Sequence, residues 1–272
     1  MRHLVLCLAP MLAFTLSGMA ALAAEVPAAP SPTPYTVPAR AHDIVLEIGG
    51  GPIARPAYEG ASEYEISPFG IFTLHYLWLP GFGEVKNGLT RDGFSYGPSF
   101  RYLSKRESKD YSDLRGLNDI DASFEVGGKF AYTFGLFRPW VAVRHGFGGH
   151  EGIVGETGLD FVVRPNEVTE ITFGPRASFA SSDYMGTYFG VTPMESGVAG
   201  LRAYAPGGGF KGVGAELGVR FEFNPEWALV GSLAYERLIG DAVNSPIVQA
   251  GDPNQITARL GLTYRFALKL FD

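Results

Sequence analysis

The sequence predicts an all-β fold: an antiparallel transmembrane β-barrel of about twelve strands, preceded by a cleaved signal peptide. Three observations carry this. The chain opens with an export pattern, the segments behind it alternate apolar and polar residues with a period of two, and short connections alternate with long ones.

The export pattern is Arg2 and His3, an apolar run from Leu4 to Leu16, and the small-residue site Ala21-Leu22-Ala23. Residues 1–24 therefore read as a signal peptide. Cys7 lies inside the apolar run, without the flanking small residues of a lipoprotein signal, and it is the chain's only cysteine. The mature chain then has no internal disulfide and no thiolate metal site. Residues 25–42, with Pro27, Pro30, Pro32, Pro34 and Pro38 among alanines, read as an extended leader. The barrel is assigned to residues 43–272. No later apolar run reaches the roughly 18 residues a helical span needs. The net charge of -6 speaks against a nucleic-acid partner, which calls for a basic stripe.

Strands follow in order. Residues 43–50 place Ile44, Leu46 and Ile48 on one face, and 66–78 form a looser strand beyond a loop carrying Pro52, Pro56 and Gly60. Residues 82–89 read as a short strand and 90–93 as a turn. In 94–103, Phe94, Tyr96, Phe100 and Tyr102 share a face, while Pro98 predicts a bulge or distortion. After a polar loop at 104–118, residues 120–134 give the longest clean alternation. Residues 137–146 follow a tight connection at Gly135-Leu136. Residues 153–164 and 168–180 pair around Pro165-Asn166, and 181–206 read as a long irregular stretch. Residues 212–223 turn at Asn224-Pro225 into 227–239, and the loop 240–254 leads to the closing strand 256–266. There Ile256, Ala258, Leu260, Leu262, Tyr264 and Phe266 oppose Arg259 and Arg265. This makes about eleven strands, and an even number is the rule for bacterial barrels, so one more is expected within 43–92 or 181–206.

Charges keep to the polar face of the clean strands, and Glu125, Lys129, Glu216, Arg220, Arg259 and Arg265 are assigned to the lumen. Both signs occur in similar number, which predicts ion pairing across strands rather than a strongly selective bore. A soluble β-sandwich has the same alternation. Glycine on the polar face and aromatics near strand ends, such as Tyr132, Phe134, Trp227 and Tyr264, favour the barrel, with outer-membrane lipid against its apolar face. His75, His145 and His150 stand near scattered serines, but no nucleophile, base and orienting acid can be picked out together. His150 and Glu151 lack a third metal ligand at a usable spacing. The glycine runs at 49–51 and 207–209 are not followed by a phosphate-loop Lys-Ser/Thr. No catalytic residue, metal or cofactor is expected.

Five segments carry a family resemblance: GGGPIARPAYEGA (49–61), DLRGLNDI (113–120), TYFGV (187–191), LIGDAVNSPIV (238–248) and the closing LTYRF. On these the chain resembles the MipA/OmpV family of outer-membrane proteins over nearly all of its mature length, and GDAVNSPIV is the most specific. Pro56, Tyr58, Gly60, Tyr188, Phe189, Gly190, Asp241, Ser245 and Pro246 match as family markers, with no catalytic role attached. The resemblance implies a bacterial outer-membrane scaffold that joins a peptidoglycan hydrolase, a murein lytic transglycosylase, to a peptidoglycan synthase. A small pore or transporter, or a surface antigen tied to envelope stress or antibiotic response, is the alternative, and an outer-membrane enzyme ranks last. Similar barrels end on the aromatic of a YRF-type strand. Here ALKLFD follows Phe266, so either Phe271 serves as the terminal aromatic or the signal is internal.

Overall fold

Successive side chains of a strand point to opposite faces, and in this protein the apolar set points outward. The computed structural model describes residues 42–81, 83–86 and 92–271. The expected signal peptide, the expected leader up to residue 41 and residues 90–91 of the turn expected at 90–93 lie outside the described residues. The elements are β1 (Ile44–Pro56), β2 (Tyr64–Leu79), β3 (Gly83–Lys86), β4 (Gly93–Leu103), β5 (Ser123–Thr133), β6 (Phe137–Gly148), β7 (Ile153–Asn166), β8 (Thr169–Ala180), α1 (Ser182–Phe189), α2 (Pro193–Ala199), β9 (Gly209–Glu222), β10 (Trp227–Leu238), α3 (Gly240–Val243), α4 (Pro246–Ala250) and β11 (Asn254–Leu268).

All strand pairs are antiparallel, in the order β3-β2-β1-β11-β10-β9-β8-β7-β6-β5-β4. The first long strand pairs with the last, from Ile44 opposite Leu268 to Ala54 opposite Ala258. The sheet curls until β2 and β4 meet, with the Phe72 and Phe100 rings 6.2 Å apart. Among the described residues no helix is long and apolar enough to cross a membrane.

Among the described residues eleven strands stand where about twelve were expected. β3 is only four residues long and pairs with the end of β2, so ten strands run the full height and alternate in direction. The even number required of an up-and-down barrel is met by these ten. The region 181–206 holds two helices and no full strand.

Other boundaries also move. β1 continues through GGGPIARP, with Pro52 opposite Pro68, which shrinks the expected loop to 57–63. β5 begins at Ser123, because Ile120 leaves the alternation to bridge Arg106. The longest strand is therefore β2, with 16 residues. No bulge occurs at Pro98: the β4–β5 register runs unshifted through Pro98 opposite Gly128. β4 is an edge of the sheet, where a missing N–H donor is tolerated. Gly127 is required by crowding, since a Cβ there would collide with the backbone of Val143 and Arg144 on β6.

The residues after Phe266 complete the closure. β11 extends to Leu268, whose carbonyl accepts from the Asp43 N–H at 2.9 Å. The Asp43 carboxylate then accepts from the N–H groups of Leu270 and Phe271 at 2.6 and 2.8 Å. The Phe271 ring meets Trp78 edge-on at 5.8 Å.

The outward face is the reverse of a soluble sandwich. Phe94, Phe100, Phe130, Leu217, Leu233 and Leu260 are exposed, whereas Glu47, Glu125, Arg144, Asp160 and Lys211 are buried. A sandwich hides the apolar face of its strands; this sheet displays it. Leu260 sits at mid-strand on that face. Leu260→Arg is expected to destabilise the protein in lipid vesicles by about 2–4 kcal/mol, measured by denaturant titration. An unchanged midpoint would place Leu260 away from hydrocarbon.

Candidate functional site

One end of the sheet carries tight hairpins and the other carries the long connections, and the long connections fold over the lumen as a cap. The buried apolar clusters lie in this cap. One gathers Tyr184, Met185, Phe189, Ile120, Val154, Leu238 and Val248; the other gathers Tyr58, Leu114, Leu117, Val191 and Ile247. The cap helices have local causes. Before α2, the Thr192 hydroxyl accepts from the Glu195 N–H at 3.2 Å and Glu195 accepts from the Thr192 N–H at 2.8 Å, a reciprocal capping box. Glu195 also accepts from Asn118 N–H at 2.8 Å, which ties α2 to the loop after β4. α4 begins at Pro246, where the Ser245 hydroxyl accepts from Ile247 N–H.

The family-marker residues, far apart in sequence, meet in this cap. The Ser245 hydroxyl donates to the Phe189 carbonyl at 2.7 Å, and Pro246 is buried beside it. Asp241 accepts from Gly207 N–H at 2.6 Å, and its carbonyl accepts from the Tyr204 hydroxyl at 2.9 Å. Gly60 holds φ 94, donates to Gln255 at 3.1 Å, and has no room for a Cβ against Val248. Gly190 closes α1 by donating to Gly186. The Tyr188 carbonyl accepts from Arg106 at 3.1 Å. Pro56 ends β1 and Tyr58 packs edge-on against Tyr111 at 5.2 Å. Burial pushes the Tyr58 hydroxyl up to about 12.

Below the cap, charged side chains pair across the lumen. Glu125 is fully buried and accepts from Arg101 through two nitrogens at 2.8 Å and from Arg144 at 3.0 Å. Arg101 and Arg144 also reach Glu156 on β7, at 3.3 and 2.6 Å. Near the hairpin end, Arg220 holds Glu47 with both terminal nitrogens at 2.8 Å. Arg265 reaches Glu47 at 3.3 Å and Glu222 at 3.2 Å. Glu216 lies 3.7 Å from Arg176. Lys129 sits 4.2 Å over the Trp140 ring, and among the described residues Arg259 makes no ion pair or hydrogen bond. Among the described residues, cavities remain between these networks. One of about 290 Å³ lies beneath the cap and another, of about 380 Å³, lies further down. They share Trp140, Glu156, Arg176 and Glu216 as walls.

The histidines separate clearly. His75 bonds Glu47 at 2.9 Å. His145 points outward and lies 4.9 Å from the Phe147 ring. His150 is buried, 3.3 Å from Glu125 and edge-on to Tyr184 and Tyr188. Among the described residues no cluster of three or more His, Cys, Asp and Glu side chains is set to hold a metal. Arg106, in what reads as a polar loop, is buried, and burial draws its pKa down. No sequence signal marks it. For α2 a usable signal lay in the stretch read as irregular, the Thr192-Pro193-Met194-Glu195 capping box.

A family model described as MltA-interacting protein MipA matches residues 48–266. The MltA-interacting protein of Escherichia coli (strain K12) is 26% identical over 167 residues, 61% of this chain and 65% of that protein. The chain thus spans less than two thirds of that relative's length. Outer membrane protein Omp26La of Vibrio anguillarum is 37% identical over 90 residues, 33% of each chain. Among solved structures, an outer membrane channel from Pseudomonas putida F1 is similar with a TM-score of 0.41 at 12% identity, covering 85% of this chain and 99% of that one.

Glu125 satisfies two guanidinium groups at once, those of Arg101 and Arg144. Glu125→Gln is expected to cost about 3–5 kcal/mol in denaturant titration of the detergent-solubilised barrel; a loss within error would mean the network is dispensable. His150 carries a depressed pKa, chiefly through burial and against the opposing pull of Glu125. The folded state therefore binds this proton less readily than the unfolded state, and stability falls as pH drops below about 6.5. His150→Gln is expected to flatten that fall in thermal melts taken across the pH series.

Proposed function

This chain belongs to the MltA-interacting protein MipA family, and from that premise we propose that it is a non-enzymatic scaffold holding a peptidoglycan-cleaving lytic transglycosylase, and through it a peptidoglycan synthase, at the outer membrane. It is an outer-membrane β-barrel protein, and outer-membrane lipid covers its outward aromatic and aliphatic face in this reading. The name of the Escherichia coli relative supports the first partner. The observation that carries the reading is the commitment of the interior to structure. Glu125, Glu47 and Glu156, the acids a hydrolase could employ, are each held by two or more basic groups.

The docking surface is assigned to the hairpin end, since the rule for these barrels turns short connections to the periplasm, where peptidoglycan enzymes work. Exposed acids there include Glu167 in the β7–β8 turn and Glu226 in the β9–β10 turn. A purified transglycosylase is expected to co-elute with the solubilised barrel. The double substitution Glu167→Lys with Glu226→Lys should weaken binding about tenfold or more, roughly 1.4 kcal/mol, while Met194→Glu on the cap should not. Absence of any complex with the unsubstituted barrel would remove the scaffold reading.

A small-solute pore is a second reading, favoured by the two cavities that share walls along the lumen. Unitary conductance in planar bilayers would support it. A silent bilayer would count against it.

A further inference from the structure

The cavity beneath the cap has an unbalanced wall. Its lining carries seven basic side chains and four acidic ones, Glu59, Glu156, Glu216 and Glu236, in a chain whose net charge is -6. Each of the four acids is engaged. Lys211 holds Glu59 at 2.6 Å, Arg101 and Arg144 hold Glu156, Arg176 lies 3.7 Å from Glu216, and the Ser178 hydroxyl donates to Glu236.

Two guanidinium groups of the wall have no carboxylate among the described residues. Arg106 is 7% exposed; among the described residues its guanidinium donates only to the Tyr188 carbonyl, and it lies 6.0 and 5.9 Å from the centres of the Tyr58 and Tyr188 rings. The side chain of Arg259, on the lumen face of β11, makes no ion pair or hydrogen bond among the described residues. Glu195, the acid that acts on Arg106, is held by the α2 capping box and Asn118. A cation kept from water without a counter-charge is costly, and guanidinium matches carboxylate and phosphate oxygens in a planar, two-pronged fashion. The same wall offers Tyr58, Tyr184, Tyr188, Leu103 and Leu238 as apolar surface. Its volume, about 290 Å³, is at the small end of ligand pockets.

We propose that the cavity beneath the cap binds a small organic anion, with its carboxylate or phosphate head at Arg106 and Arg259 and a ring-sized apolar body against the cap tyrosines. This goes beyond the scaffold reading and does not depend on it, because the hairpin end takes no part.

The test uses the mature barrel in detergent, titrated calorimetrically with benzoate, phenyl phosphate, inorganic phosphate and neutral benzamide. Benzoate or phenyl phosphate should bind and raise the melting temperature, and benzamide should do neither. Arg259→Gln, which breaks no pairing inside the protein, should weaken that binding tenfold or more while leaving the ligand-free melting temperature in place. Arg106→Lys, which keeps the charge of the buried group, should retain more affinity than Arg106→Gln. Equal binding of benzamide, no binding of either aromatic anion, or full affinity in Arg259→Gln would overturn the proposal. Inorganic phosphate binding as tightly as phenyl phosphate would overturn the part assigned to the tyrosines.

Discussion

A sheet that turns its apolar face outward leaves its charged side chains only the lumen, and the architecture of this protein follows from that constraint. Glu47, Glu125, Asp160 and Lys211 are buried in the barrel, where a lone charge would be strongly destabilising. Each is offset by partners on other segments of the chain: Arg220 and Arg265 for Glu47, Arg101 and Arg144 for Glu125, Arg176 for Asp160, Glu59 for Lys211. Arg220 with Glu47 and Arg101 with Glu156 join strands that are not adjacent in the sheet, so these pairs also fix how far the sheet curls. The protein's apolar clusters lie in the cap, where the loops behave like a small soluble core.

The same constraint explains the ends of the chain. The two ends of the chain are joined within the sheet, since β1 pairs with β11 along most of its length. Asp43 then takes up the N–H groups of Leu270 and Phe271, which would otherwise trail past the closing strand. On the opposite side β2 and β4 meet through the Phe72 and Phe100 rings, and the short β3 extends the sheet only beside the hairpin end.

The barrel was legible in the sequence because side-chain alternation survives in the structure almost strand by strand. Ile256, Leu260, Leu262 and Tyr264 are exposed, as the period of two requires, while Thr263 is buried. Alternation tells which face a charge occupies and is silent about its partner, since Arg220 meets Glu47 only through a curl that no local pattern encodes. The cap was largely illegible. Its helices are short, α4 has five residues, and they are held by contacts between distant loops, such as Ser245 with Phe189 and Glu195 with Asn118. Helices of that length have little stability of their own. Ser245 and Phe189, which read as separate family markers, turn out to be the two sides of a single hydrogen bond. Pro98 misled for a related reason: whether proline disrupts a strand depends on whether its free side is paired, which is a property of the whole sheet.

The central claim is that outward side chains meet hydrocarbon while the alternate set is sealed inside with paired charges. Cys7 is the chain's only cysteine and precedes residue 24, so nitroxide labels placed on single introduced cysteines at each position from 256 to 266 report one site at a time. With the barrel in lipid vesicles, collision with dissolved oxygen should alternate with a period of two, maximal at 256, 258, 260, 262 and 264 and minimal between them. A flat profile, or one with its maxima at 259, 261 and 263, would contradict the account.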